Sequence, residues 1–218
     1  MNVLFIGNSY TYYNDMPLIL AALAKENGKE LHVDAVTKGG RKLYANLMEG
    51  DEYLQQILAL CAEKTYDVLF LQEQSYFPLI DAKGFQGGVA GLKDLVGAKR
   101  TILYATWGRK EGCPLLEEHG WTSSGMTHEL YNAYLLAAEL CGAEISPVGL
   151  CFDLLTRERP GIELYNPDLS HPSYAGSCVA ALAHYKKIFG TVPQKLSSPD
   201  LDLTTLSLLA DAVDRTVS

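Results

Sequence analysis

The first fourteen residues, MNVLFIGNSYTYYN, decide the fold of this chain. Residues 3–6 are consecutively apolar and rich in β-formers, which predicts a strand buried on both faces of a parallel sheet. The run ends at Gly7, a polar turn follows, and Pro17 falls in the first turn of a predicted helix. Ligands of open α/β sheets bind beyond the carboxyl ends of the strands. We therefore expect Ser9 to lie at the functional edge of the sheet, although a helix cap is the simpler interpretation of a lone serine.

Strand patterns and helix patterns alternate along the rest of the chain. Further strands are predicted at residues 31–36, 67–71, 100–104 and 143–148. Helices are predicted at residues 18–27, 43–62, 84–96, 126–141, 150–157, 174–189 and 200–217. This alternation predicts an α/β fold, a three-layer α/β/α sandwich with a five-stranded parallel sheet. The length of 218 residues suits a single domain over 1–218, with the last helix laid on its outside.

Net charge and the spacing of the cysteines indicate which binding partners and which cellular compartment to expect. The net charge of −8 argues against nucleic acid or an anionic membrane as a partner, since both require a basic surface. No apolar run reaches the ~18 residues of a membrane helix, and no basic leader precedes the first strand. The five cysteines are widely spaced and form no C-x-x-C motif. We expect a cytoplasmic protein without disulfides; the sequence leaves its oligomeric state open.

A second polar segment near the far end, NPDLSHPSYAGS at residues 166–177, complements the serine turn. Asp168 and His171 lie three residues apart, immediately before another helix pattern. A carboxylate can fix the tautomer of an imidazole, and the imidazole can take the proton of a serine hydroxyl. Ser9, His171 and Asp168 therefore form a candidate catalytic triad.

The strand followed by Gly7-Asn8-Ser9, together with the D-x-x-H segment at 168–171, resembles the SGNH (GDSL-like) hydrolase superfamily. The chain is similar to a branch of it that carries G-N-S-[FY]-T and L-Q-E-Q-S blocks. The resemblance implies a flavodoxin-like sheet and an esterase in which Ser9 is the nucleophile, His171 the base and Asp168 its orienting partner.

In that superfamily, a glycine after the second strand and an asparagine after the third help the serine N–H to form the oxyanion hole. Gly40 is our preferred glycine, with Gly39 as the alternative. The family pattern G-x-N-[DE] is replaced here by QEQS at residues 72–75. The amide of Gln74 can donate in place of the missing asparagine, with Gln72 and Ser75 as alternatives.

Polar and aromatic residues on the predicted loops are candidates for substrate binding. Aromatic rings at this edge would suit sugar rings or aromatic acyl groups; the alternative is that several of them cover the core. The long connection at 105–124 suggests a functional loop or a lid. Arg41 and Arg109 can contact an anionic substrate, although solvated arginines are the simpler interpretation. The predicted substrate-binding residues are Asn8, Tyr10, Tyr76 and Trp107.

No motif for a metal or a cofactor is present. The chain has no H-E-x-x-H, no Cys/His pair at zinc spacing, no G-x-G-x-x-G and no Walker A loop. We therefore expect no cofactor and a small-molecule ester as the partner, with an O-acetyl or other O-acyl group on a carbohydrate or small metabolite as the expected substrate. The alternatives are a non-catalytic binding module on the same fold and an acyltransferase that uses the same triad.

Overall fold

A computed structural model describes residues 1–218 and contains one parallel sheet. Its strands are β1 (Asn2–Gly7), β2 (His32–Thr37), β3 (Val68–Leu71), β4 (Arg100–Tyr104) and β5 (Glu144–Ser146). They are arranged in the order β2-β1-β3-β4-β5, and every pairing is parallel. The predicted five-stranded flavodoxin-like sheet is confirmed.

Helices cover both faces of the sheet, because alternate side chains of each central strand enter different cores. Val3 and Phe5 of β1 face one core, and Leu4 and Ile6 face the other. The first core is closed by α2 (Met16–Glu26), α8 (Val148–Glu158), α9 (Tyr174–Phe189) and α10 (Leu203–Thr216). The second is closed by α3 (Glu52–Glu63), α5 (Ala82–Val96) and α7 (Ser123–Cys141).

Short helices occupy several connections: α1 (Ser9–Tyr12), α4 (Phe77–Ile80) and α6 (Pro114–His119). The helical segment predicted at 43–62, with an interruption expected at Gly50-Asp51, forms a 3-10 helix, Leu43–Leu47, and then α3. Asp51 begins α3 by accepting the N–H groups of Tyr53 and Leu54 at 2.9 and 3.2 Å, which separates the two segments. The long connection at 105–124 contains α6 and is therefore partly helical. Leu116 of α6 packs against α7.

The loops that follow β1 to β4 converge at the carboxyl edge of the sheet. There they meet the segment between α8 and α9, which contains the D-x-x-H residues. None of the helices has the length and apolar character required to cross a membrane. The convergence of these loops positions the site described next.

Candidate active site

The Ser9 turn is built by its neighbours. Asn8 caps α1 through Oδ1, which accepts the N–H of Tyr10 at 3.2 Å, so that Ser9 is the first residue of the helix. A Cβ on Gly7 would lie 2.6 Å from Oγ1 of Thr11 and 2.8 Å from Oε1 of Gln72, so only glycine fits. These contacts leave Ser9 8% exposed, at the floor of a cavity.

The D-x-x-H segment forms a tight loop that holds its carboxylate and imidazole together. Oδ1 of Asp168 accepts the backbone N–H groups of Ser170 and His171 at 3.0 and 2.9 Å. Leu169 takes a left-handed conformation with φ of 60°. The other carboxylate oxygen, Oδ2, then faces Nδ1 of His171 at 2.5 Å. The carboxylate thus binds both the backbone and the ring of the same loop.

The structure brings the predicted triad together. Nε2 of His171 lies 2.8 Å from Oγ of Ser9. With the Nδ1 proton donated to Asp168, Nε2 is left as an acceptor for the Ser9 hydroxyl, a tautomer inferred from the hydrogen-bond partners. Ser9, His171 and Asp168 therefore form one continuous chain of hydrogen bonds between segments far apart in sequence.

Tyrosine rings fix the orientation of the imidazole. Tyr13 stacks on His171 with centroids 4.3 Å apart and an angle of 10° between the planes. Tyr10 meets the same ring edge-on at 5.5 Å, and its hydroxyl lies 2.9 Å from Oγ of Ser170. The ring of His171 is thus held from two sides as well as through its nitrogens.

The environment of Asp168 favours its charged form. Partial burial acts to raise the pKa of this carboxyl, but the hydrogen bonds from the His171 ring and from the N–H groups of His171 and Ser170 outweigh it. The net result is a pKa of Asp168 below its ordinary value. A carboxylate that stays ionised can stabilise an imidazolium beside it.

A cavity of about 290 Å³ opens above Ser9. It gathers residues from four strand-end loops and from the D-x-x-H loop. Its walls are Asn8, Ser9, Tyr10, Tyr12, Tyr13, Gly39, Gly40, Gln74, Ser75, Arg109, Ser170 and His171. The cavity is therefore lined by Ser9, by the predicted oxyanion residues, and by two of the four predicted substrate-binding residues, Asn8 and Tyr10.

The candidate oxyanion donors differ in how they are engaged. Gly40 has φ of 67° and open space where a side chain would be, so its backbone can face the cavity. Nε2 of Gln74 donates to Oγ of Ser75 at 3.1 Å, also at the cavity wall. Gln72 is instead fully buried, and its Oε1 accepts the N–H of Asn8 at 2.9 Å. Gln72 thus supports the serine turn from below.

Two residues predicted to bind substrate lie outside the cavity. Trp107 is 0% exposed, because its ring is stacked between Tyr10 at 4.8 Å and Phe152 of α8 at 3.9 Å. Its Nε1 donates to the carbonyl of Ser170 at 3.1 Å, so it supports the D-x-x-H loop. Tyr76 packs against the cluster around α6 and α7 instead.

Asn8 lines the cavity but is occupied by the protein itself. Besides its capping oxygen, its Nδ2 donates to the carbonyl of Arg41 at 3.1 Å. This bond ties the loop after β1 to the loop after β2. Asn8 therefore holds two walls of the cavity together.

Glu73 is a buried carboxyl that the sequence did not single out. Its Oε1 accepts the N–H of Leu43 at 3.1 Å and that of Gln74 at 2.6 Å. Burial raises the pKa of Glu73 to about 7, against the lowering effect of these N–H groups. Its position two residues after the end of a buried strand is the sequence signal that could have identified it. Glu73 joins the loops that carry Gly40 and Gln74.

Comparison with solved structures places the chain in a family. It is 30% identical to a protein from Slackia heliotrinireducens assigned to the SGNH hydrolases, with a TM-score of 0.74 over 86% of this chain and 98% of that chain. A DUF4886 family protein from Bacteroides uniformis shares the fold at a TM-score of 0.83 and 16% identity, covering 99% of this chain and 93% of that one.

An acetyl xylan esterase, AlAXEase, also shares the fold, with a TM-score of 0.63 and 15% identity over 87% of this chain and all (100%) of that chain. No protein-family model matches the sequence, and no curated protein matches it either. The likeness to the Slackia protein, over nearly the whole of both chains, decides the family. The chain belongs to the SGNH (GDSL-like) hydrolases, a family of ester-hydrolysing enzymes.

Proposed function

We propose that the protein removes a short acyl group, acetyl in the first instance, from a hydroxyl of a carbohydrate or similar small metabolite, using Ser9, His171 and Asp168 as its catalytic triad. The observation that carries the proposal is the hydrogen-bond chain from Ser9 Oγ to His171 at 2.8 Å and on to Asp168 at 2.5 Å. Ser9, at the start of this chain, lines a cavity that also has Gly40 and Gln74 on its wall.

In the first half of the reaction, Oγ of Ser9 attacks the ester carbonyl carbon while Nε2 of His171 takes the hydroxyl proton. The negative charge that develops on the carbonyl oxygen is stabilised by the N–H groups of Ser9 and Gly40 and by the amide of Gln74. The bond from carbon to the alcohol oxygen then breaks, and His171 returns the proton to that oxygen. The alcohol leaves, and the acyl group remains on Ser9.

In the second half, water replaces the alcohol. His171 takes a proton from the water as its oxygen attacks the acyl carbon. The bond to Oγ of Ser9 breaks, the proton returns to Ser9, and the carboxylic acid is released. Asp168, with its lowered pKa, stays charged and offsets the positive charge of the imidazolium in both halves.

The carbohydrate part of the proposal is supported by the aromatic rim of the cavity. Tyr12 is 41% exposed and stacks beside Tyr13, with centroids 5.8 Å apart. Exposed rings at a cavity mouth suit the apolar faces of sugars. An acetyl xylan esterase is also among the proteins that share the fold.

The primary test is hydrolysis of p-nitrophenyl acetate by the wild type and by Ser9→Ala, both checked for folding by circular dichroism. We expect the substitution to lower kcat by about 10⁴-fold or more. A fluorophosphonate should label the wild type at Ser9 and leave Ser9→Ala unlabelled. Equal activity of the two proteins, or a folded wild type that neither turns over nor labels, would contradict the proposal and favour a binding module.

A panel of acetylated sugars then tests the substrate class. We expect Tyr12→Ala to lower kcat/KM for an acetylated xylo-oligosaccharide several-fold more than for p-nitrophenyl acetate, because only the sugar needs the ring. Equal losses on both substrates would remove the support for a carbohydrate. Capture of the acetyl group by an added alcohol in preference to water would instead indicate an acyltransferase.

A further inference from the structure

Arg109 is the basic side chain on the wall of the cavity. It follows β4, in the connection that also carries Trp107. Its Nη2 donates to Oγ of Ser75 at 3.0 Å, and its guanidinium carbon lies 5.9 Å from the centre of the Tyr10 ring. The side chain is partly buried. A guanidinium therefore stands beside the nucleophile with most of its N–H groups not bound to protein.

The other arginines of the chain are engaged elsewhere. Arg41, on the neighbouring loop, pairs with Asp51 at 2.5 Å and donates to Asn46 at 2.7 Å. Arg159 is exposed to solvent. The remaining arginines form ion pairs with carboxylates: Arg100, Arg157 and Arg215. Arg109 alone combines partial burial, a place on the cavity wall and the lack of an ion-pair partner.

This arrangement is unfavourable for an empty site and favourable for an anionic ligand. A cation that is partly removed from water loses solvation, and a counterion within the protein normally compensates for it. The chain carries a net charge of −8, yet no carboxylate is paired with Arg109. The planar fork of a guanidinium matches the two oxygens of a carboxylate.

We propose that Arg109 binds a carboxylate on the alcohol part of the substrate, so that the enzyme acts on O-acetylated acids such as acetylated uronic or hydroxy acids. The inference rests on the proposed function, because that function places the ester carbonyl at Ser9. With an acyl group as small as acetyl, the anionic group belongs to the alcohol. Ser75, which accepts from both Arg109 and Gln74, links the carboxylate site to the oxyanion wall.

The turnover test uses two acetyl esters of similar shape, 4-acetoxybenzoate and the neutral 4-acetoxybenzamide. The quantity measured is the ratio of kcat/KM for the anionic ester to that for the neutral ester, which is compared between proteins so that the intrinsic reactivity of each ester cancels. We expect Arg109→Met to lower this ratio about tenfold or more. Arg109→Lys, which keeps the charge but loses the fork, should give an intermediate ratio.

Arg159→Met is the matched control, since it removes the same charge from an exposed site. An equal fall in the ratio for Arg109→Met and Arg159→Met would show a general effect of charge and would overturn the inference. Equal losses on both esters in Arg109→Met would overturn it too, because they would place Arg109 in a step common to all substrates.

Binding to an inactive protein separates this inference from the proposed function. In the Ser9→Ala background, we expect 4-acetoxybenzoate to bind more tightly than 4-acetoxybenzamide by calorimetry, and Arg109→Met to abolish the difference. Equal binding of the two compounds overturns the carboxylate site whatever the turnover shows. Full activity of Ser9→Ala would instead overturn the triad and leave the binding result standing.

Discussion

Two carboxyl groups hydrogen-bond to residues that line the cavity, Asp168 to His171 and Glu73 to Gln74, and their surroundings give them opposite properties. Asp168 is partly exposed, faces an imidazole and has a lowered pKa. Glu73 is fully buried, accepts hydrogen bonds only from backbone N–H groups and has a pKa raised by burial to about 7. The difference shows that the charge of a carboxyl group near a nucleophile is determined by its exposure to solvent and by its hydrogen-bond partner. A carboxylate whose partner can itself become charged suits catalysis, whereas one that accepts only N–H groups suits the joining of loops.

Among changes to the two carboxyl groups, removal of the Asp168 charge should give the largest effect. Asp168→Asn can present a donor to Nδ1 of His171, which favours the wrong tautomer for accepting the Ser9 proton. We expect kcat on p-nitrophenyl acetate to fall about 10³- to 10⁴-fold with little change in KM. Steady-state kinetics on the folded variant measure this. A fall of less than tenfold would make Asp168 no more important to catalysis than Glu73.

The two carboxyl groups should also give stability a pH dependence of opposite sign. Glu73 in the folded protein keeps its proton up to a pH of about 7, whereas in the unfolded chain it loses the proton near 4.5. The protonated Glu73 therefore stabilises the folded protein at low pH. This contribution, up to about 3 kcal/mol, is lost as the pH rises from 4.5 to about 7. Relative to Glu73→Gln, the wild type should thus lose free energy of unfolding between pH 4.5 and 7 in urea titrations.

Asp168 supplies the contrast in the same experiment. Because its pKa is lowered from an ordinary 3.8, its contribution to stability is present above that value and is lost as the pH falls through the lowered pKa. Relative to Asp168→Asn, the wild type should lose stability on acidification. If the free energy of unfolding changed with pH in the same direction relative to both variants, the proposed difference between the two carboxyl groups would be contradicted.

Truncation of Glu73 should affect stability more than catalysis. Glu73→Ala leaves the buried N–H of Leu43 and the partly buried N–H of Gln74 without their acceptor, which should lower the free energy of unfolding by about 1–3 kcal/mol. Glu73→Gln keeps an acceptor oxygen and should recover most of the loss at neutral pH. Urea unfolding at pH 7 measures both, and equal destabilisation by the two substitutions would count against the loop-joining role.

The stacking of Tyr13 on His171 should have the smallest effect. Tyr13→Leu removes the ring contact but leaves the hydrogen bonds of the imidazole intact, so a decrease in kcat of about 3- to 10-fold is expected. Tyr13→Phe keeps the ring and should stay close to the wild type. If Tyr13→Phe were as impaired as Tyr13→Leu, the hydroxyl and not the stack would be the relevant group.

The sheet and the triad could be predicted from sequence because each depends on short-range pattern. Apolar runs mark strands that are covered on both faces, and the turn at Gly7 needs a residue without a Cβ. Asp168 and His171 are close in sequence, so their contact requires only one loop. Such features can be predicted without knowledge of the packing around them.

Residues whose role depends on distant packing could not be predicted. Trp107 follows a strand at the functional edge, but Phe152 of α8 covers it, and nothing near Trp107 in sequence indicates this. Glu73 is buried, and one of its hydrogen-bond donors is the N–H of Leu43, thirty residues away in sequence. Arg41 and Arg109 both lie on loops that follow strands; the ion pair of Arg41 with Asp51 and the place of Arg109 on the cavity wall distinguish them.

The stack of Tyr10, Trp107 and Phe152 gives the protein an intrinsic optical reporter. The chain has two tryptophans, and Trp121 is only partly buried whereas Trp107 is sealed beneath the nucleophile's loop. In Trp121→Phe, fluorescence would come from Trp107 alone and would be resistant to quenching by acrylamide. Emission from the remaining indole would then follow the integrity of the Ser170 loop, to which it donates a hydrogen bond, without any added label.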